Sequence, residues 1–282
     1  MIAYDKTLWK KYHWAMTRIR ILGTGNAQAT NCYNTCLTIE NEEGILLVDA
    51  GGGNGILKIL EDQNIPLSSI HDIFVTHAHT DHIFGVIWLI RRIGETMAKG
   101  KYEGNLTIYC HKELADLIEY ISRSILTKKV ISFIGERIIF SVHGSGDKRR
   151  IIGNEFTVFD IGSTKMKQFG FQMKYEGGKI LLDSGDEPLL EENCHYAENA
   201  DFMTHEAFCL YEDRDRFNPY EKHHSTAMDA AKKAETLGVK NLILYHTEDK
   251  TLSTRKERYT AEAKAYYSGN VYVPDDGEII EI

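Results

Sequence analysis

Three histidines and one aspartate fall within the six residues His77-Ala78-His79-Thr80-Asp81-His82. Neutral imidazole and carboxylate are the usual protein ligands of zinc-like ions. The apolar run Ile73-Phe74-Val75 precedes the cluster, and Ile83-Phe84-Gly85-Val86-Ile87-Trp88-Leu89-Ile90 follows it. A strand, a polar turn and a helix are expected, with the ligand-type side chains at the junction. His77 and His79, two apart at a strand end, point to one side. Asp81 and His82 come from the turn and can face the same cavity. The segment offers enough donors for two adjacent metal ions. The plain alternative is a solvated turn, but twelve histidines in 282 residues would seldom place three beside an aspartate by chance.

Further polar clusters close later strands. Leu47-Val48-Asp49-Ala50-Gly51-Gly52-Gly53 sets a carboxylate before three glycines. Leu181-Leu182-Asp183-Ser184-Gly185-Asp186 runs an apolar strand into two carboxylates around a glycine. Met203-Thr204-His205-Glu206-Ala207 and Leu242-Ile243-Leu244-Tyr245-His246 also read as strand ends. His223-His224-Ser225-Thr226 precedes a helix that Ser225 or Thr226 can cap. Taken singly, each is equally a turn, a cap or a satisfied core polar group. Together they put His, Asp and Glu at strand ends in both halves of the chain, where a site between layers is built.

The elements that must position these groups follow from periodicity and turn chemistry. Strands are expected at 18–22, 35–40, 45–48, 70–76, 106–110, 138–143, 155–161, 169–175, 179–183, 201–205, 241–246, 271–274 and 277–282. Helices are expected at 54–63, from the His cluster to about 98, and at 112–126, 187–198, 226–237 and 255–266. Each half carries a sheet with helices on one face. Stacked sheet to sheet, the halves give a four-layer α/β/β/α sandwich. Residues 1–15 read as an extension, with Met16 an alternative start, and 16–282 as one domain.

Composition is ordinary for a soluble protein: 43% hydrophobic and 26% charged residues. The net charge of -8 disfavours broad attraction to nucleic acid. Lys128-Lys129 and Lys148-Arg149-Arg150 are local basic candidates for binding phosphates, but such short charge runs are more often solvated loops. The odd, scattered set of five cysteines suggests reduced thiols in a cytoplasmic protein. No apolar run is long enough to span a membrane, and no signal-peptide core is visible.

The His-x-His-x-Asp-His cluster resembles the signature motif of the metallo-β-lactamase superfamily, whose fold is the four-layer sandwich. Within it the chain most resembles ribonuclease Z, the endonuclease that trims precursor tRNA 3′ ends, from Met16 onward. Leu22-Gly23-Thr24-Gly25 is similar to that family's opening, Asp49 to its ligand-supporting aspartate, and His205-Glu206-Ala207 with His224-Ser225-Thr226 to its two proton-transfer motifs. The resemblance implies one metal on His77, His79 and Asp186. It implies a second on Asp81, His82, Asp186 and His246, with Asp186 bridging. Asp81 would orient a metal-bound hydroxide, and His224, polarised by Glu206, would protonate the departing oxygen. One or two zinc ions are implied, with manganese or iron as alternatives, a phosphodiester substrate (RNA or a small molecule), and a homodimer.

Two departures stand out. A further family histidine ligand, six residues before a Gly-aromatic pair, is matched here by Thr164, so water, Thr164 or His143 is expected to fill in. The interval from Cys110 to Glu155 reads as one helix and ordinary strands, without the family's tRNA-gripping arm. Other readings therefore stay open: a superfamily hydrolase of esters, thioesters, lactones or β-lactams, the last disfavoured without a secretion signal, or a binding or sensing protein with a degraded first metal site.

Overall fold

The computed structural model of the chain describes residues 16–282; the extension expected over 1–15 lies outside the described residues. In the first sheet, β1 (Arg18–Gly23), β2 (Cys36–Asn41), β3 (Gly44–Val48), β4 (Ile70–Phe74), β5 (Leu106–Cys110) and β6 (Ile138–Val142) lie side by side in chain order. The second sheet takes β7 (Lys148–Ile151), β8 (Asn154–Asp160), β9 (Phe169–Tyr175), β10 (Lys179–Asp183), β11 (Phe202–Glu206), β12 (Asn241–Tyr245) and β13 (Asn270–Tyr272). The last strand, β14 (Ile279–Glu281), crosses back to pair with β1. Each sheet is antiparallel at one side and parallel at the other. The parallel strands are β3 to β6 in the first sheet and β10 to β13 in the second.

The parallel strands are covered on both faces, so they read as continuous apolar runs. Alternation sorts their side chains. Leu47, Ile73 and Val75 pack under α1 (Gly55–Asp62), α2 (Thr80–Ala98) and α3 (Lys112–Ile125). Leu182, Met203 and Leu242 pack under α4 (Ala227–Thr236) and α5 (Leu252–Lys264). Leu46, Val48, Phe74, Phe156, Phe171, Leu181 and Ile243 meet between the sheets. Each such fully buried apolar side chain contributes about 1.5–3 kcal/mol. The result is the expected α/β/β/α sandwich.

Two local expectations fail. Lys148-Arg149-Arg150, read as a loop, forms the edge strand β7, paired to β8; three cations suit a solvent-facing sheet edge. The helix expected over 187–198 shrinks to a 3-10 segment at Glu191–Tyr196. The cap before α4 is Thr226, which forms a capping box with Asp229. No helix among the described residues is long and apolar enough to cross a membrane.

Register explains why the site lies where it does. Val48, Phe74 and Tyr109 are level across the first sheet, and Asp183, Thr204 and Ile243 across the second. All the predicted ligands therefore follow the carboxyl ends of parallel strands, where open α/β sheets build their clefts.

Candidate metal centre

The first wall of the cleft is set by Asp49, which leaves β3 with a left-handed φ of 55°. Thr76 donates its amide (2.9 Å) and hydroxyl (2.7 Å) to the Asp49 carboxylate. His82 Nδ1 lies 2.7 Å from the same carboxylate. That contact fixes the His82 ring and leaves Nε2 facing the cleft. Thr76 Oγ1 likewise holds His77 Nδ1 at 2.9 Å, so His77 also presents Nε2. α2 begins against the loop after β3: Gly85 N donates to the Gly51 carbonyl (2.9 Å). A Cβ on Gly85 would lie 1.8 Å from the Ala50 carbonyl oxygen. Only glycine permits this close approach, and that role for Gly85 was not legible in the sequence.

The second wall comes from separate loops. Asp183 accepts from Gly185 N (3.1 Å), Thr204 Oγ1 (2.8 Å) and Tyr245 Oη (3.3 Å). Burial pushes its carboxyl up to about 6. The turn at Gly185, φ 76°, then delivers Asp186. His246 follows β12 with a φ of 53°. Its neighbour Thr247 is clamped by the glycine-rich turn after β1: Thr247 N donates to the Thr24 carbonyl and Asn26 N to the Thr247 carbonyl, both at 2.9 Å. The buried Arg255 donates to the hydroxyls of Thr24 (2.9 Å) and Thr247 (3.0 Å). Asp49, His223 and His246 each hold left-handed backbone beside a residue of this cleft.

These walls bring together all the predicted ligands. His77, His79 and Asp186 form one group, and Asp81, His82 and His246 another, each with its candidate atoms within 4.8 Å of one another. Asp186 Oδ2 lies at the junction, 3.4 Å from His77 Nε2 and 3.7 Å from both His82 Nε2 and His246 Nε2. Asp81 Oδ2 lies 3.4 Å from His82 Nε2 and 3.8 Å from His246 Nε2. His82 Nε2, Asp186 Oδ1 and both His246 nitrogens are buried without a hydrogen-bond partner among the described residues. Buried polar atoms are seldom left so. Unpaired atoms of this chemistry, converging at 3.4 to 3.8 Å, fit a divalent cation. The electrostatics agree. Burial alone would raise Asp81 and Asp186, yet facing imidazoles, His82 and His246 for the first and His77 for the second, hold both well below the usual carboxylate range.

Beside the second group, His224 Nδ1 lies 3.7 Å from Glu206 Oε2, and both atoms lack any other partner among the described residues. Ser225 N donates to Glu206 Oε1 at 2.6 Å. Burial pushes Glu206 well above its ordinary value. Burial, aided by His246, pushes His224 down to about 3. The His224 and His246 ring centroids are 5.1 Å apart.

Comparison with known proteins agrees with this geometry. Residues 17–130 match the family model described as anti-Pycsar protein Apyc1. Ribonuclease Z of Listeria monocytogenes is 28% identical over 293 residues, covering 87% of this chain and 93% of the relative. Ribonuclease Z of Natronomonas pharaonis is 25% identical, covering 94% and 97%. The chain is similar over most of its length to ribonuclease Z proteins, and its fold is that of the metallo-β-lactamase structures. Among solved structures, the metallo-β-lactamase fold protein YhfI from Bacillus subtilis superposes with a TM-score of 0.76 at 19% identity, covering 95% of this chain and all of that one. The short form of human tRNase Z gives 0.71 at 22% identity, covering 93% and 98%.

This ribonuclease Z-like chain departs from expectation at the segment before β9. Thr164 is exposed and forms part of no ligand group among the described residues. His143, the other stand-in, stacks on Tyr109 with ring centroids 5.7 Å apart and also joins no such group. Neither completes the first group. The segment is instead gathered around Glu187, the residue after Asp186. Glu187 Oε1 accepts from Ser163 Oγ (2.9 Å) and Gln168 Nε2 (3.1 Å) and pairs with Lys165 Nζ (3.1 Å). Sequence reading missed Lys165 and Glu187, which stand next to the family positions but not on them.

Proposed function

We propose that this metal-dependent hydrolase is a phosphodiesterase acting on RNA or a small phosphodiester. The observation that carries the reading is Asp186, a buried carboxylate equidistant from imidazoles of both walls with its second oxygen unpartnered. His77, His79 and Asp186 would hold one ion, and Asp81, His82, His246 and Asp186 the other. Zinc suits these nitrogen and oxygen donors, with manganese or iron as alternatives. Bound there, divalent ions supply positive charge for phosphoryl oxygens and lower the pKa of a coordinated water.

The chain's own residues do the rest. Asp49 and Thr76 hold His82 and His77 in the orientation that exposes Nε2. Asp81 orients the attacking oxygen. Glu206 stands 3.7 Å from His224 and would support it in delivering the proton that a departing alkoxide needs. The compact run from α3 through β6 to β7 suits a substrate that needs no gripping arm. The chain's five cysteines are unpaired, and the cytoplasm is the compartment that keeps such thiols reduced.

The test is turnover of bis(p-nitrophenyl) phosphate and p-nitrophenyl acetate by one zinc-loaded preparation, with zinc counted per chain. We expect the phosphodiester to be hydrolysed and the activity to disappear on chelation. Faster ester turnover would reassign the chain to ester chemistry. An absence of bound metal and of turnover with every divalent ion would end the proposal.

A further inference from the structure

Beside the candidate metal centre sits a cation that the reading above does not use. Lys165 Nζ donates to the Lys222 main-chain carbonyl at 2.7 Å and pairs with Glu187 Oε1 at 3.1 Å. It thus spans the opening between the loop that carries Asp186 and the loop that carries His224. The side chain is 27% exposed. An ammonium has three protons, and these two partners take two of them. Its charge reaches His224, where it opposes protonation of the imidazole.

The surroundings ask for such a cation. Asp81, Asp186 and Glu187 are all buried at this centre. A phosphodiester carries a negative charge in its ground state and gains more in the transition state. Glu187, which is no metal ligand, repels that charge unless a cation offsets it. Backbone and side-chain ties hold the segment in place around the ammonium. Ile161 N donates to the Gln168 carbonyl at 3.0 Å, and Ser163 and Gln168 share the Glu187 oxygen.

We propose that Lys165 forms an anion subsite that binds a non-bridging phosphoryl oxygen of the substrate, releasing Glu187 as it does so. The proposal rests on the phosphodiesterase reading for its substrate, but the binding of a phosphate group can be measured without turnover. Lys165 then acts at the mouth of the cleft as a substrate-binding residue, while the leaving oxygen faces His224.

The experiment titrates inorganic phosphate into the zinc-loaded full chain by calorimetry, for wild type, Lys165→Met, Lys165→Arg and Glu187→Gln, with zinc counted per chain. A charge-assisted hydrogen bond to phosphate predicts a roughly tenfold or greater loss of phosphate affinity in Lys165→Met at unchanged zinc content. Lys165→Arg restores most of it, and Glu187→Gln, which frees the ammonium, binds phosphate at least as tightly as wild type. If Lys165 only ties two loops together, Lys165→Met and Glu187→Gln weaken binding alike, and the proposal is overturned. Equal affinity in Lys165→Met and wild type, or no phosphate binding by wild type, overturns it too. Phosphate binding that depends on Lys165 in a protein that hydrolyses no phosphodiester would retain the subsite and sink only the catalytic reading.

Discussion

The first sheet delivers His77, His79, Asp81 and His82 from one unbroken segment, whereas the second delivers Asp186, Glu206, His224 and His246 from the ends of three strands, β10, β11 and β12. The two walls are also held differently. The first is fixed by a single hub, the Asp49 carboxylate, which takes Thr76 and His82. The second is fixed piecemeal, by Asp183 under the Asp186 turn, by Arg255 and Thr24 behind His246, and by Ser225 on Glu206. A contiguous wall needs one tertiary contact, the pairing of β3 with β4 that brings Asp49 to it. A distributed wall exists only once three strands are in register, so it inherits every packing error of the second sheet.

The sharpest way to break the comparison is at the residue both ligand groups share. Asp186→Asn keeps the shape of the carboxylate and removes its charge. We expect kcat/KM for a phosphodiester to fall by roughly a thousandfold or more, because both groups lose a donor at once. Zinc content should drop at both groups rather than one. Loss of a single zinc with substantial residual rate would show that the groups are independent.

The hub of the first wall comes next. Asp49→Asn leaves His82 without its carboxylate partner. Removing such a supporting group typically weakens metal affinity about 10–100-fold. Competition titration with a zinc chelator should show the site of Asp81, His82 and His246 weakened most, because His82 loses its partner directly and His77 only through Thr76. A parent with a single zinc and a variant with none would mean that His77 and His79 do not hold an ion by themselves.

The second wall should be the more sensitive to acid. His205 is buried, and burial pushes its pKa from the ordinary 6.5 down to about 4. The unfolded chain therefore takes up this proton from about pH 6.5 downward, while the folded chain resists until about 4. Stability contributed by neutral His205 is full above 6.5 and is lost as pH falls across that window. The slope is about 1.4 kcal/mol per pH unit for one proton. Urea unfolding of the chelator-treated protein should show this loss, and His205→Gln should flatten it. An unchanged slope in the variant would place the proton uptake elsewhere.

Much of this architecture was legible in the residues. The His77–His82 segment announces itself because ligand spacing and strand-to-helix hydropathy coincide there. Asp186, Glu206 and His246 were legible as polar groups closing apolar strands, and resemblance then assigned them partners. Other features were silent because they depend on contacts distant in sequence. Gly85 is required by the Ala50 carbonyl. Arg255 gives no motif, yet it holds Thr24, more than two hundred residues away. Lys148-Arg149-Arg150 read as a loop because an edge strand tolerates charge on a sheet margin. Lys165 was passed over because the family position beside it drew attention to Thr164 instead.

That last position gives the smallest expected effect and the cleanest test of where the two walls differ. Restoring the family histidine by Thr164→His would strengthen the first ligand group if only the side chain were missing. The structure points the other way. Thr164 is exposed, and the segment on either side is tied to Glu187 through Ser163, Lys165 and Gln168, so its path is set by that carboxylate rather than by an ion. An imidazole placed there starts outside the ligand group and must pull the segment off Glu187 to enter it. Zinc affinity and kcat/KM of Thr164→His should therefore match wild type within about twofold, less than the roughly 1.4 kcal/mol that a tenfold change requires. A large gain in either would show that the segment can reach the ions, and that the first group is held short of a ligand by one side chain alone.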